Sequence, residues 1–292
     1  MHILVTGGTG FIGSALVPAL VDRGDKVSVL SRRARVSTPA VTYVLSLDDV
    51  REQVDAVINL AGASLADRRW SKRYKEIMVA SRVGTTERLV AWMQTQPTPV
   101  KVLLSGSAIG YYGSSETLAF TEQSPQGSGF SADLCRVWEQ AANAGVSADT
   151  RVVLLRLGVV LDAGGGALVE MLRSFNLGVG SWVGSGRQWL SWIHRCDVVK
   201  AMLFLLDNET VSGPVNLVAP EAVTHREFCT VASRVKRVLL QLGVPSVALK
   251  LMVGEMAEEL LLNGQRVQPR VLVDNGFNFA HSTLESALRS SL

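Results

Sequence analysis

The stretch VTGGTGFIG, residues 5–13, restricts what this chain can fold into more than any other. It joins a β-branched run, His2 to Thr6, to an amphipathic run, Phe11 to Arg23. Glycines at such a junction permit a tight turn and close approach of a ligand to the backbone. The free N–H groups and dipole at the start of the following helix favour an anion such as a pyrophosphate. Gly8, Gly10 and Gly13 read as GxGxxG, and Gly7, Gly10 and Gly13 as GxxGxxG. The pattern is weak alone and becomes specific between a strand and a helix. The expected cofactor contacts are Gly7, Gly8, Thr9, Gly10, Phe11, Ile12 and Gly13.

The first half of the chain continues this alternation. Strand-like runs at Lys26 to Leu30, Thr42 to Leu45, Ala56 to Leu60, Lys101 to Ser105 and Val152 to Leu157 alternate with helical stretches, including a long one over Lys72 to Thr95 and one over Ala132 to Ala144. Several strands are apolar without alternation, as expected when both faces of a parallel sheet are covered. The expected fold is α/β, a Rossmann-type doubly wound parallel sheet. Beyond about residue 160 the texture changes, with three glycines at Gly164 to Gly166 and helical segments around Val198 to Leu206, Arg226 to Leu242 and Val247 to Leu262. This divides the chain into a dinucleotide-binding domain over 1–160 and a smaller α/β substrate lobe over 161–292, interleaved with the first sheet.

The second strand identifies the cofactor more closely. A unit that prefers NAD carries a carboxylate at its end for the ribose 2′-hydroxyl. KVSVLSRR instead places Ser31 there, followed by Arg32 and Arg33, which suit a 2′-phosphate. NADP(H) is the expected cofactor; the other reading is that both arginines cover a solvated loop. The run DAVINLAG ends a buried strand in Asn59, Leu60, Ala61 and Gly62, small enough residues for the cofactor to pass along the backbone.

Composition excludes several classes. Hydrophobic residues make up 47%, ample for a packed core, and 29 basic against 26 acidic residues leave no broad electrostatic footprint for nucleic acid or a membrane surface. Cys135, Cys196 and Cys229 lie far apart without a CxxC pair, and His2, His194, His225 and His281 show no ligand spacing. Free thiols and no metal are expected. The chain opens directly on a strand-like run without a leader pattern, and Val238 to Val253 is interrupted by Gln241, Gly243, Pro245 and Lys250. A cytoplasmic protein without a membrane span is expected. Its partner is a small-molecule substrate, and it is a monomer or homodimer.

TGGTGFIG, NLAG, SGSAIGYYG and WIHRCD follow one another in the order used by the extended and atypical short-chain dehydrogenase/reductases, which this chain resembles. RLGVVLDAGGGAL, VGSGRQWLSWIHRCDV, NLVAP and GQRVQPRVLVDNGFNFAHSTLESAL are similar to the epimerase family proteins of the atypical branch. The resemblance spans nearly the whole chain and implies a Rossmann-type NADP(H) domain with a small C-terminal substrate lobe.

It also exposes a gap. In the superfamily a Tyr and a Lys four residues apart share one helix face, where the Lys and the cofactor lower the Tyr pKa and make the phenol an acid/base. A Glu commonly lies four residues further on. If Glu139 in FSADLCRVWEQAA fills that place, Cys135 occupies the Lys position and Ser131 the Tyr position. Neither can do the work: a Ser hydroxyl is a poor acid or base near neutrality, and a neutral Cys supplies no fixed charge.

Other groups are candidates. Ser107 matches the superfamily's substrate-binding Ser, and Tyr111 and Tyr112, just beyond it, are candidate replacement acids, with Tyr112 slightly preferred. Two tyrosines packing a loop are an equal alternative. His194 has a pKa suited to acid/base work, while Asp197, three residues on, suits a helix cap. Trp182, Trp189 and Trp192 surround Arg187, an arrangement fitting a substrate with a flat part and an anionic part; core packing explains the tryptophans equally well. Arg156 ends a strand and reaches either the cleft or an internal carboxylate. The expected substrate contacts are Arg156, Arg187, Trp189 and His194. These features suggest an oxidoreductase or an epimerase-like enzyme acting on a small carbonyl or alcohol. The alternative is a non-catalytic NADP(H) sensor.

Overall fold

The computed structural model describes the backbone of residues 1–292 and every side chain except those of Ala248 and Val253. Strands β1 (His2–Thr6), β2 (Lys26–Leu30), β3 (Val41–Val44), β4 (Ala56–Asn59) and β5 (Val102–Ala108) form one sheet with the strands Arg151–Leu157 and Gly213–Leu217. From one edge the order is β3, β2, β1, β4, β5, Arg151–Leu157, Gly213–Leu217, and all pairings are parallel. The chain therefore builds outward from β1 to β3, then crosses back to β4 on the other side of β1. Such a switch point opens a crevice at the carboxyl ends of the two central strands, where ligands of this architecture bind.

Both faces of the sheet are covered, which is why its strands are apolar without alternation. On one face Leu16 and Leu20 of α1 (Gly13–Asp22), with Val198, Met202 and Leu205 of the helix Arg195–Asp207, pack on Ile3, Val5, Ile58, Leu104 and Leu155. On the other, Leu89, Val90 and Met93 of the helix Thr85–Gln94 and Ala142 of the helix Phe130–Asn143 pack on Leu4, Val57, Leu103 and Leu154. Each fully buried aliphatic side chain contributes about 1.5–3 kcal/mol.

A separate cluster of Leu161, Leu168, Phe175, Trp192, Phe228, Leu284 and Leu288 forms the core of the lobe. The helix Arg195–Asp207 and the strand Gly213–Leu217 leave this lobe and return to the main sheet. No helix among the described residues is long and apolar enough to cross a membrane.

Three helices differ from expectation. The stretch over Lys72 to Thr95 is divided into α2 (Lys72–Val79), a π-helical turn Ala80–Gly84 and α3 (Thr85–Gln94); the next helix, Phe130–Asn143, is α4. The helix expected to reach Leu242 stops at Lys236, because Arg237 adopts a left-handed conformation (φ 56°), and Leu240–Val244 instead pairs with Val179–Val183. The helix expected over Val247 to Leu262 breaks at Gly254, which also has positive φ. Helical periodicity reports which face is buried but not where a single backbone dihedral ends the run.

Candidate functional site

The glycine loop lies in the crevice between β1 and β4. Gly7 has φ 68°, a conformation that favours glycine, and a Cβ there would sit 2.5 Å from the Leu60 carbonyl oxygen at the end of β4. A Cβ on Gly13 would fall 2.3 Å from the Gly7 carbonyl oxygen, so the first turn of α1 can approach the loop only as glycine. Gly10 N–H closes the turn onto the Gly7 carbonyl at 2.9 Å. The N-terminus of α1 has no side-chain cap and no acidic residue in its first turn. Its free N–H groups and dipole are thus available to an anion. Thr9 and Gly10 are exposed, and Phe11 and Ile12 half-exposed, along the rim. Phe11 lies under the Arg195 guanidinium, 5.0 Å from its ring centre.

At the end of β2, Ser31 is buried and its hydroxyl donates to the Arg33 carbonyl at 2.8 Å, which holds the turn. Arg32 and Arg33 are exposed, and neither is paired with a carboxylate among the described residues. Asn59 is fully buried: its amide oxygen accepts from Thr6 Oγ1 at 2.6 Å and its amide nitrogen donates to Thr86 Oγ1 at 2.8 Å. The Asn59 side chain thus ties β1, β4 and α3 together. Leu60, Ala61 and Gly62 continue past it along the crevice edge, with the Ala61 N–H donating to Thr6 Oγ1 at 3.2 Å.

The floor of the crevice is formed by α4. Cys135 is buried, its thiol donates to the Ala108 carbonyl at 3.5 Å, and burial pushes its pKa up to about 11. It is therefore a neutral group where the resemblance expects a lysine. Ser131, one turn earlier, has its hydroxyl oxygen buried without a hydrogen-bond partner.

A positive charge lies nearby on another element. Arg82, within the π-helical turn, lies so close to Gly62 that a Cβ there would be 3.0 Å from the guanidinium carbon. The guanidinium carbon is 5.4 Å from the centre of the Trp138 ring, and the group is close enough to Cys135 to favour its thiolate electrostatically. Its one hydrogen bond within the protein is a long one, from Nη1 to the Met78 carbonyl at 3.4 Å, and no carboxylate among the described residues pairs with it. Burial lowers its pKa from the usual guanidinium value. The sequence reading missed Arg82 because a regular helix gives no sign of the extra residue per turn that redirects it. An Arg in a half-buried helical stretch without an acidic partner was the available signal.

Behind the floor lies a buried polar chain. Ser107 Oγ donates to Glu139 Oε1 at 2.6 Å, and Arg156 pairs with both Glu139 oxygens at 2.8 Å. Arg156 Nη1 then donates to the Tyr112 hydroxyl at 2.9 Å, which donates to Asn216 Oδ1 at 2.7 Å. Tyr112 is 2% exposed, and burial pushes its pKa up to about 12. This corrects its assignment as a replacement acid: its hydroxyl is committed to the interior. Tyr111 lies against the Arg156 guanidinium, 3.6 Å from the ring centre, and opens with Gln126, Arg136, Gln140 and Asn143 onto a separate cavity of about 480 Å³. Arg136, Gln140 and Asn143 stand on a different face of α4 from Ser131, Cys135 and Trp138. Tyr112 is thus turned inward, and Tyr111 lines that cavity.

The other expected substrate contacts also disperse. Arg156 binds an internal carboxylate and not the cleft. The Arg187 side chain is 75% exposed and only distantly paired with Glu116, at 3.8 Å, so it is not enclosed by the tryptophans around it in sequence. Trp189 donates to the Glu116 carbonyl at 2.9 Å and packs under Arg266. Trp192 is fully buried in the lobe core. His194 is buried as the cap of the helix Arg195–Asp207, accepting the Cys196 N–H at 3.2 Å. Asp197 does not cap that helix; its carboxylate accepts from the backbone of Ala280 and His281.

Residues 3–218 match the NAD dependent epimerase/dehydratase family, and residues 244–291 match a domain of unknown function, DUF1731. The epimerase family protein Mb2239 of Mycobacterium bovis is 39% identical over 290 residues, covering 98% of this chain and 96% of that protein. The epimerase family protein SAR0825 of Staphylococcus aureus is 36% identical over 292 residues, covering 98% and 97%. Among solved structures, the human epimerase family protein SDR39U1, crystallised with NADPH, superposes with a TM-score of 0.92 at 34% identity, covering 100% of this chain and 99% of that one. Continuous matches across the glycine loop, the seven-stranded sheet and the C-terminal lobe lead to one assignment: the chain belongs to the NAD dependent epimerase/dehydratase family.

Proposed function

We propose that this protein is an NADP(H)-dependent oxidoreductase or epimerase-like enzyme acting on a small carbonyl or alcohol, with Arg82 supplying the fixed positive charge that the Cys135 position lacks. The observation that carries the reading is the unpaired Arg82 guanidinium beside Gly62, at the end of the crevice strand. A half-buried cation without a carboxylate is left uncompensated within the protein, and here it faces the path along which a dinucleotide would run. The loop from Gly7 to Gly13 suits such a ligand because its glycines let the turn pack directly on the end of β4 and on the first turn of α1, whose N-terminus carries no side-chain cap. NADPH in the human relative supports the same cofactor.

When bound, NADP(H) supplies or accepts a hydride. The remaining work falls to the chain. The α1 N-terminus holds the pyrophosphate, and Arg32 and Arg33 pair with the 2′-phosphate. Ser107, buried with its hydroxyl donating to Glu139, keeps only lone pairs, which accept from the O–H of an alcohol but give nothing to a carbonyl oxygen. Arg82 stabilises negative charge developing on that oxygen. With both tyrosines committed elsewhere, the proton is exchanged with water in the crevice.

Replacing Arg32 and Arg33 together by Ala is expected to weaken NADPH binding at least about tenfold, near 1.4 kcal/mol, and to leave NADH binding unchanged, as read by fluorescence titration. The catalytic reading is tested by single-turnover oxidation of bound NADPH against a panel of small carbonyl compounds. Oxidation by one of them supports it. One observation favours a second reading, a non-catalytic NADP(H) sensor: Ser131, Cys135 and Tyr112 offer no group that titrates near neutrality. Tight NADPH binding without oxidation by any compound in the panel selects that reading.

A further inference from the structure

His194, Cys196 and His281 each bring one ligating atom to within 4.8 Å of the others, although His281 is far from the other two in sequence. His194 caps the helix Arg195–Asp207, which fixes Cys196 in the first turn beside it, with Sγ 2.9 Å from His194 Nδ1. His281 arrives from the C-terminal segment. The Asp197 carboxylate accepts the backbone N–H groups of Ala280 and His281 at 2.7 and 2.9 Å and so fixes that loop. The two imidazole rings lie 4.3 Å apart, centre to centre. Nδ1 of His281 is buried and has no hydrogen-bond partner. A buried nitrogen left unsatisfied destabilises the fold, a cost that a bound ligand would offset.

We propose that these three side chains form a zinc site distinct in its residues from the dinucleotide crevice. Two imidazoles and a thiolate are a borderline-soft donor set that suits zinc, and three protein ligands leave a fourth position for water. Bonds of about 2.0–2.3 Å set neighbouring ligand atoms of a tetrahedral site about 3.5 Å apart. The present separations, from 2.9 Å to no more than 4.8 Å, bracket that value. On binding, the Cys196 S–H bond breaks, its proton goes to solvent and a Zn–S bond forms. His194 binds through Nδ1, whose lone pair exchanges the Cys196 N–H and S–H that it now accepts for the metal, and its Nε2–H donates to Ser291 Oγ, now 3.1 Å away, which sets the tautomer as an outer partner of the metal. Ser291 closes the helix Leu284–Ser291, so the ion ties the C-terminal helix to the start of the helix Arg195–Asp207.

The test uses the full-length protein, stripped with a chelator and titrated with Co²⁺ as a spectroscopic substitute for zinc. The expected result is saturation at one ion per chain, with a thiolate-to-cobalt charge-transfer band in the near ultraviolet that Zn²⁺ removes by competition. Cys196→Ser is expected to abolish the band, and His281→Gln to weaken binding at least about tenfold, the lower end of what even an outer partner contributes. The two variants are independent, with circular dichroism confirming the fold of each. A wild-type protein that takes up no cobalt, or a folded variant of either kind that binds it with unchanged affinity and spectrum, overturns the site.

Discussion

Replacing Arg156 by Met is expected to lower the free energy of unfolding by about 3–5 kcal/mol, the usual result of leaving a buried charge without its partner. The chain behind α4 explains the size of the effect. Glu139 and Arg156 are 7% and 3% exposed, and the Arg156 guanidinium satisfies both Glu139 oxygens and the Tyr112 hydroxyl. Without it, a carboxylate remains in the interior with only Ser107 donating to it. Total stability for a domain is roughly 5–15 kcal/mol, so the variant loses a large share. The double change Glu139→Gln with Arg156→Met is expected to recover much of the loss, because it removes both charges together. Urea unfolding of both variants measures this directly. A single variant within about 0.5 kcal/mol of wild type, the range of ordinary surface changes, contradicts the buried pairing.

The second large effect is expected at Arg82, in the opposite sense for stability and function. If Arg82 were a structural residue, truncation would destabilise the fold. The protein gives it neither a carboxylate nor a short hydrogen bond, so Arg82→Met is expected to leave stability unchanged or raise it, as commonly happens when a functional site carries unpaired polarity. Single-turnover hydride transfer is expected to fall about 10²–10³-fold, the range for removing one group that stabilises transition-state charge. Arg82→Lys, which restores a charge without the planar fork, should recover part of the rate. Loss of NADPH affinity alone, with the rate at saturating cofactor unchanged, assigns Arg82 to binding; a destabilised Arg82→Met makes it structural.

The fold was largely legible in the sequence, while the site was legible only in part. Strand and helix alternation, unalternating apolar runs and the framed glycine loop are properties of local sequence, and each appears in the seven-stranded parallel sheet and its crevice. Polar pairing was not legible, because it depends on which elements meet. Arg156 was read as reaching either a cleft or a carboxylate, and only the packing of α4 on the sheet selects Glu139. Tyr112 was preferred as an acid from its place beside Ser107, yet it turns inward to Asn216, which lies on a strand far along the chain. Arg82 and the cluster of His194, Cys196 and His281 escaped for the same reason: a π-helical turn and a returning C-terminal segment create proximity that spacing does not encode.

The crevice between β1 and β4, with Arg32 and Arg33 at its rim, is expected to hold NADP(H) in preference to NAD(H). This preference is tested most directly by titrating the purified protein with NADPH and, separately, with NADH while following fluorescence. The account predicts that NADPH binds at least about tenfold more tightly, a difference near 1.4 kcal/mol. Equal affinity for the two, or no binding of either, contradicts it.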